Sequence, residues 1–382
     1  MQSIRRILTT HTGSLPRPDD LLALLRAKDE GRLDDAAAFD ARVRAVVAEV
    51  VRKQLAAGID IVNDGEQGKP DYSTYIKDRL TGFEGEGAAP PLGADMKEFP
   101  EYAERVGLAS LVKRPTCSGP IAWKDWAQVE KEIANLRAAV EAGEAEEVFM
   151  TAVSPGQAAR FLLNRYYGSH EAYLYALADV LKREYRAIVE AGFLLQLDCP
   201  DLASGRNNQF QHLSLEEFQK VAALHVEVLN YAVADIPPDR MRLHVCWGNY
   251  EGPHHLDVPL KEIIGILLKA RPAALSFEAA NPRHAHEWKL FEEVRLPEGK
   301  RLIPGVLDTT TNFIEHPELV AQRIVQYARL VGRENVIAGT DCGFATFASR
   351  PTVDPRIAWA KLGAMVEGAR IASRELWYNT PA

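Results

Sequence analysis

Nine short runs of apolar and β-branched residues recur along the chain, separated for most of its length by amphipathic helical stretches. They read ILTTHTG, IDIVNDGE, TCSGPIAW, VFMTAVSPG, FLLQLDCP, RLHVCWG, ALSFEAAN, LIPGVLD and NVIAGTDCG. Strands that alternate with helices are joined by crossovers, and repeated crossovers give a parallel sheet clothed in helices. Nine runs are one more than an eight-stranded barrel accepts. The expected fold is therefore α/β, a (β/α)8 TIM barrel with TCSGPIAW in an extra hairpin outside it and with long surface loops.

Helix boundaries are written into the same pattern. Residues 41–57 and 171–191 carry apolar stripes and stop at Gly58 and Gly192, each placed to take the left-handed conformation that closes a helix. Ser214 with Glu217 makes a capping box before a further helix, and Pro317 opens one that ends at Gly332. Residues 82–95, GFEGEGAAPPLGAD, have no period and read as a surface loop. The alternation resumes beyond it, so residues 1–382 are expected to form one domain.

The chain has 382 residues and a net charge of −8 with no long block of one sign, which excludes a surface built to neutralise a phosphate backbone. The longest internal apolar run, IIGILL, is too short to span a bilayer, and the N-terminus lacks a signal-type apolar core. A soluble cytoplasmic protein with no nucleic-acid or membrane partner is the expectation. Four cysteines, at 117, 199, 246 and 342, are too few and too scattered for a disulfide framework.

Barrel enzymes gather their chemistry at the C-terminal ends of the strands. Here those ends carry His11, Ser14, Asp64, Glu66, Asp198, His244, Cys246, Glu278, Asp308, Asp341 and Cys342. His244 and Cys246 are two apart on one strand, so they face the same way and can share a site. Glu278 ends the next strand and Cys342 the last. Imidazole, carboxylate and two thiolates form a donor set suited to Zn2+. These residues come from three strands, 32 and 64 residues apart, rather than from close Cys pairs, which favours a catalytic over a structural metal. The plainer alternatives are a buried His and Cys packed as core, Glu278 paired with Arg283, and Cys342 packed beside a glycine turn.

The segments HVC, FEAAN, GVLD and GTDCG, together with TTHTGSLPRP, NDGEQ and LQLDCPD, resemble motifs of the cobalamin-independent methionine synthases, specifically their C-terminal catalytic barrel. The resemblance runs from about residue 8 to about residue 347 and fits a short, single-barrel form. It implies that His244, Cys246, Glu278 and Cys342 are zinc ligands and that Ser14, Glu66 and Asp198 hold the amino-acid end of homocysteine. The alternatives for these three are a turn-forming serine and carboxylates paired with Lys69 or Arg206. A free thiol titrates near about 8.5, and coordination to zinc makes it a thiolate at neutral pH that can attack an activated carbon.

The resemblance implies a zinc-dependent methyltransferase acting on homocysteine or a similar small thiol, with an alkyl donor as second partner and a homo-oligomeric assembly left open. Epoxyalkane:coenzyme M transferases are short relatives, so an epoxide-opening thiol transferase or C–S lyase is the alternative. Departures from the family pattern fall on the donor side. SPGQAARF stands in place of the folate-site G-P-V-T tract, with Phe161 near an expected tryptophan; Ser204 replaces an acidic residue and Thr310 a proton-donating histidine. Candidate acids near the strand ends are Tyr75, His254, His255, His284 and His286, and Arg165, Tyr166 and Tyr167 are candidates for the donor-pocket wall.

Overall fold

The computed structural model describes residues 2–107, 113–141, 143–348 and 353–378. Seven strands form one sheet in which every neighbouring pair is parallel and spatial order equals chain order. They are β1 (Ile61–Val62), β2 (Glu147–Val153), β3 (Leu194–Asp198), β4 (Met241–Val245), β5 (Ala274–Phe277), β6 (Arg301–Leu307) and β7 (Gly339–Thr340). The arrangement is a curled, TIM-barrel-like α/β sheet. Residues 8–10 lie between its two edges: Thr9 bridges Ala338 in parallel, and the Ile61 amide donates to the Thr9 carbonyl at 3.1 Å.

Seven of the nine expected runs hold a strand of this sheet. ILTTHTG contributes the bridge at Thr9. TCSGPIAW forms no named strand; it runs antiparallel to residues 80–88 through bridges at Leu80–Trp123 and Ala88–Arg114, and Cys117 makes a separate parallel bridge to Asn164. Its glycine and proline deny it a continuous ladder. Residues 82–95 supply the other side of this pairing, so the segment is more than a surface loop.

The helix punctuation holds. Helix Ala36–Ala57 starts at Asp35, whose side chain caps the Ala38 amide, and stops at Gly58 with φ +86°. Helix His170–Glu190 is capped by Ser169 and followed by Gly192 at φ +92°. The Ser214–Glu217 capping box is complete, and helix Pro317–Val331 ends at Gly332.

What positions the site is the alternation of strand side chains. One face of the sheet carries Phe149 then Thr151 on β2, Leu194, Gln196 then Asp198 on β3, Arg242 then His244 on β4, and Ala274 then Ser276 on β5. Phe149, Leu194 and Ala274 join Leu8, Ile61, Ile303 and Ile337 in a small apolar cluster separate from the main core. On β3 this face passes from an apolar floor at Leu194 through neutral Gln196 to ionisable Asp198 at the C-terminal end, and on β5 it passes from Ala274 through Ser276 toward Glu278. Arg242 belongs to the floor: its guanidinium lies 4.1 Å from the Phe149 ring and donates to Thr10 Oγ1 and the His11 carbonyl. No helix among the described residues is long and apolar enough to cross a membrane.

Candidate metal and thiol site

Above that floor His244, Cys246 and Cys342 converge. Their donor atoms lie within 4.8 Å of one another, and all three residues are buried. The two sulfurs are 3.8 Å apart. A tetrahedral centre with metal–sulfur bonds of about 2.3 Å has an edge of about 3.8 Å, so the thiols already have the separation that zinc requires. His244 Nδ1 is 3.4 Å from Ser276 Oγ, while Nε2 is buried with no hydrogen-bond partner. An orphaned imidazole nitrogen beside two thiols is a group waiting for an acceptor of its lone pair. Burial, helped by the Arg242 charge, lowers the His244 pKa to about 3, which keeps the ring neutral as metal ligation demands. The Cys246 thiol is pushed well up, first by its hydrogen bond with Cys342 and then by burial.

Glu278 lies beside this trio but outside the group of three. Its Oε1 accepts from the Trp247 amide at 2.6 Å and its Oε2 from Asn281 Nδ2 at 2.7 Å. A carboxylate has about four lone-pair positions, so these bonds leave acceptor capacity on Glu278. Arg283 does not pair with it and instead donates to the His255 carbonyl. Asp341 fixes the turn that carries Glu278: its carboxylate accepts from the amides of Ala279, Ala280 and Asn281, each at 2.8 Å. The turns that carry Glu278 and Cys342 are thereby tied through one side chain adjacent to Cys342.

A cavity of about 330 Å3 opens onto the trio, and its walls include Ser14, Glu66 and Asp198 as well as His244, Cys246 and Cys342. Six of the seven residues singled out in the sequence therefore meet in one space. Glu66 is held in the left-handed region at φ +55°, immediately after Gly65 at φ +64°. A side chain in that conformation is strained and persists where its surroundings fix it. Its Oε1 accepts from Thr151 Oγ1 at 2.9 Å, while Oε2 is buried and unpartnered. Lys69 gives its hydrogen bonds to Thr151, and Arg206 gives its own to the carbonyls of Phe210 and Gln211, so neither pairs directly with the carboxylates. Burial raises the pKa of both Glu66 and Asp198, and for Asp198 the neighbouring Glu66 charge adds to it.

Other expectations fall away from the cavity. Tyr75 is buried against Glu184, His255 pairs with Glu98, and His254 and His284 share Asp257. Asp308 accepts from Thr310 and Thr311 in a local turn, and His11 bonds Gln54. Arg165, Tyr166 and Tyr167 do not line the cavity; Tyr167 stacks on Tyr173 at 5.7 Å and Tyr166 is half exposed. The cavity is lined instead by Tyr72, Arg114, Arg160, Phe161 and Phe347, among others. Of these only Phe161 drew notice in the sequence, because the others sit on helices and loops where no strand periodicity marks them.

Comparison with known proteins decides the family. The model of the "Cobalamin-independent synthase, Catalytic domain" matches residues 164–370. The chain belongs to this family. Curated relatives named methionine synthase include one from Thermococcus kodakarensis, 25% identical over 96% of this chain and 94% of that protein. Another, from Saccharolobus solfataricus, is 24% identical over 98% of each. Among solved structures, a B12-independent methionine synthase from Shewanella sp. W3-18-1 in complex with selenomethionine superposes with a TM-score of 0.76 at 21% identity, covering 97% of this chain and 99% of that one. A putative vitamin-B12-independent methionine synthase from Listeria monocytogenes gives 0.63 at 18%, covering 96% and 98%. The match of family model includes His244, Cys246, Glu278 and Cys342.

Proposed function

We propose that this protein is a zinc-dependent methyltransferase of the methionine synthase type, acting on homocysteine or a similar small thiol in the cytoplasm. The observation that carries the reading is the convergence of an unpartnered His244 Nε2 with the Cys246 and Cys342 sulfurs at the base of a cavity that also presents Glu66 and Asp198. His244, Cys246 and Cys342 would hold the zinc, with Glu278 as fourth ligand. Bound zinc supplies acidity: it lets a substrate thiol lose its proton near neutral pH. The whole chain is read as one catalytic domain, with residues 8–10 as the eighth strand that closes the barrel.

The chain's own residues do the remaining work. The unpartnered Glu66 oxygen and Asp198 are acceptors for the ammonium of an amino-acid thiol, and Ser14 supplies a hydroxyl to the same end of the substrate. Thr151 and Gln196 aim the two carboxylates, at 2.9 Å and 2.7 Å. Asp341 keeps the Glu278 turn in register with Cys342. Burial of the whole assembly strengthens each of these interactions by excluding water.

The test is metal analysis of purified protein together with product analysis. About one zinc per chain, new sulfur coordination in X-ray absorption when homocysteine is added, and methionine formed from a supplied methyl donor support the reading. Absence of stoichiometric zinc, or retention of metal and activity by Cys342→Ser, overturns it.

A further inference from the structure

Arg17 lies in the TTHTGSLPRP segment that supplies Ser14, yet it does not line the cavity and the thiol chemistry gives it no task. It is 5% exposed and donates to backbone carbonyls: Nη1 to Ala345 at 2.7 Å, Nη2 to Glu66 at 2.7 Å and to Lys69 at 2.9 Å. Among the described residues no carboxylate pairs with it. Other buried cations of this chain are treated differently: Arg79 pairs with Glu132 and Glu184, and Lys361 with Glu315. Burying a guanidinium without a counter-ion is costly, and what offsets the cost here is the set of carbonyls that it joins.

Those carbonyls lie on two of the three stretches that bring Ser14, Glu66 and Cys342 together. Glu66 and Lys69 belong to the turn after β1, and Ala345 follows Cys342 by three residues. Backbone bonds already tie the Ser14 stretch to each: the Leu15 amide donates to the Gly65 carbonyl at 3.1 Å, and the Phe344 amide to the Ser14 carbonyl at 2.9 Å. Arg17 grips both at once. The Glu66 turn needs such a hold, because Gly65 and Glu66 are both left-handed and a glutamate left to itself abandons that region. A second buried cation aims the side chain: Lys69 Nζ donates to the Thr151 carbonyl at 2.7 Å and to its Oγ1 at 3.3 Å, and that hydroxyl donates to Glu66 Oε1 at 2.9 Å. Neither cation bonds the carboxylate itself, so Glu66 Oε2 stays unpartnered, while their charges oppose the upward push of burial on its pKa.

We infer that Arg17 is a positioning residue for thiol specificity. By clamping the Glu66 turn to the stretch after Cys342, it keeps the Glu66 carboxylate aimed at the ammonium of an amino-acid thiol, and so makes the site prefer such thiols over thiols without an amine. The inference rests on the reading that Glu66 receives that ammonium. Zinc binding does not depend on the clamp, because the Cys342 turn has bonds of its own: Thr340 Oγ1 donates to the Cys342 carbonyl at 2.8 Å, and the Asp341 amide to the Leu307 carbonyl at 3.0 Å.

The test is calorimetric titration of the zinc-loaded protein with homocysteine and with 4-mercaptobutyrate, its counterpart without the amine. Wild type should prefer homocysteine by at least about tenfold, the ratio expected of one charge-assisted contact. Arg17→Met should cut that preference to about twofold or less through homocysteine alone, with zinc content and 4-mercaptobutyrate affinity kept. Added to Glu66→Gln, Arg17→Met should weaken homocysteine binding by no more than about a further twofold, because both changes remove the same contact. Arg17→Lys should keep an intermediate preference, since an ammonium cannot reproduce the planar fork that serves both stretches. If Arg17→Met does not fold, Arg17→Lys must lower the preference at least about threefold. An unchanged preference in the variants, equal weakening of both thiols, loss of zinc, or independent losses that multiply in the double variant overturns the proposal. Wild type is read first: absence of zinc or of the preference there overturns the functional reading and this inference with it, whereas a normal wild type with indifferent variants overturns this inference alone.

Discussion

Replacing Glu66 by Gln should weaken substrate binding and stabilise the free protein at once. Glu66 Oε2 is a buried carboxylate oxygen with no hydrogen-bond partner, and burial is the main reason its pKa is raised. A raised carboxylate pKa means the folded state binds its proton more tightly than the unfolded chain. Stability from this group is therefore full below the unfolded pKa of about 4.3 and is lost as pH rises through the folded value. At pH 7 to 8 Glu66→Gln removes that penalty, and the denaturation midpoint should rise by the equivalent of about 1–3 kcal/mol. Its carboxamide can keep the Thr151 bond while offering a donor toward Asp198. Against the substrate the effect reverses: one charge-assisted contact to an ammonium is worth about 1.5–3 kcal/mol, so the homocysteine Kd should rise roughly ten- to hundredfold. The assay is calorimetry with homocysteine and with 4-mercaptobutyrate, which lacks the amine. Zinc content and 4-mercaptobutyrate affinity should be unchanged. Equal weakening of both thiols, or no weakening of either, would refute the assignment of Glu66 to the ammonium.

Three further outcomes are expected. Cys342→Ser should leave the purified protein with less than stoichiometric zinc and no detectable methyl transfer, while circular dichroism shows the fold intact. Gly343→Ala should raise the KM for the thiol by more than it lowers kcat, because the added methyl collides with the Ser14 side chain. In the His254–Asp257–His284 cluster burial opposes the charged rings, but hydrogen bonds with Asp257, joined for His284 by one with Glu287, and the charge of Glu278 raise the two histidines to about 9 and about 10. Its stability is full below the unfolded histidine pKa of about 6.5 and is lost as pH rises through the folded values. Thermal unfolding should show that decline between neutral and alkaline pH, and Asp257→Asn should reduce it, with Glu287 still paired to His284, at a cost of about 3–5 kcal/mol at pH 7.

The candidate metal ligands were legible because they lie on strands or within a few residues of their C-terminal ends. A two-residue period puts His244 with Cys246, and Gln196 with Asp198, on one face, and the end of each apolar run marks the depth at which polar groups begin. Seven strands follow from that rule, the helix boundaries from their glycines, serines and prolines, and the grouping of Ser14, Glu66 and Asp198 from the family resemblance. TCSGPIAW, expected in a hairpin outside the barrel, does lie outside the sheet and runs antiparallel to residues 80–88, although no local pattern names that partner. Most side chains of the aromatic and cationic cavity wall carried no such mark. Arg114 and Phe347 sit on connections, and Arg160 lies inside the short helix Pro155–Phe161, where seven residues are too few to display a period.

Asp341 shows where side-chain pattern stops being informative. It appeared among the polar strand ends as one more acidic group beside Cys342, with nothing to separate it from Asp64 or Asp308. Its distinction lies in what it receives: three consecutive backbone amides, of Ala279, Ala280 and Asn281, and the Asn281 side chain. Backbone donors have no sequence signature, so the contact that couples the Glu278 turn to the Cys342 turn can be found only from coordinates. It also explains why a carboxylate is needed there, since one amide oxygen cannot accept all four bonds and its nitrogen would face donors. Asp341→Asn should accordingly release the Glu278 turn while leaving the His244, Cys246 and Cys342 donors in place. The expected result is a zinc affinity lowered by about 10- to 100-fold, as for loss of a group that orients a ligand, with the two cysteines still reacting as a pair toward thiol reagents in the metal-free protein. Zinc affinity equal to that of the parent would show that Glu278 is held by its bonds to Trp247 and Asn281 alone.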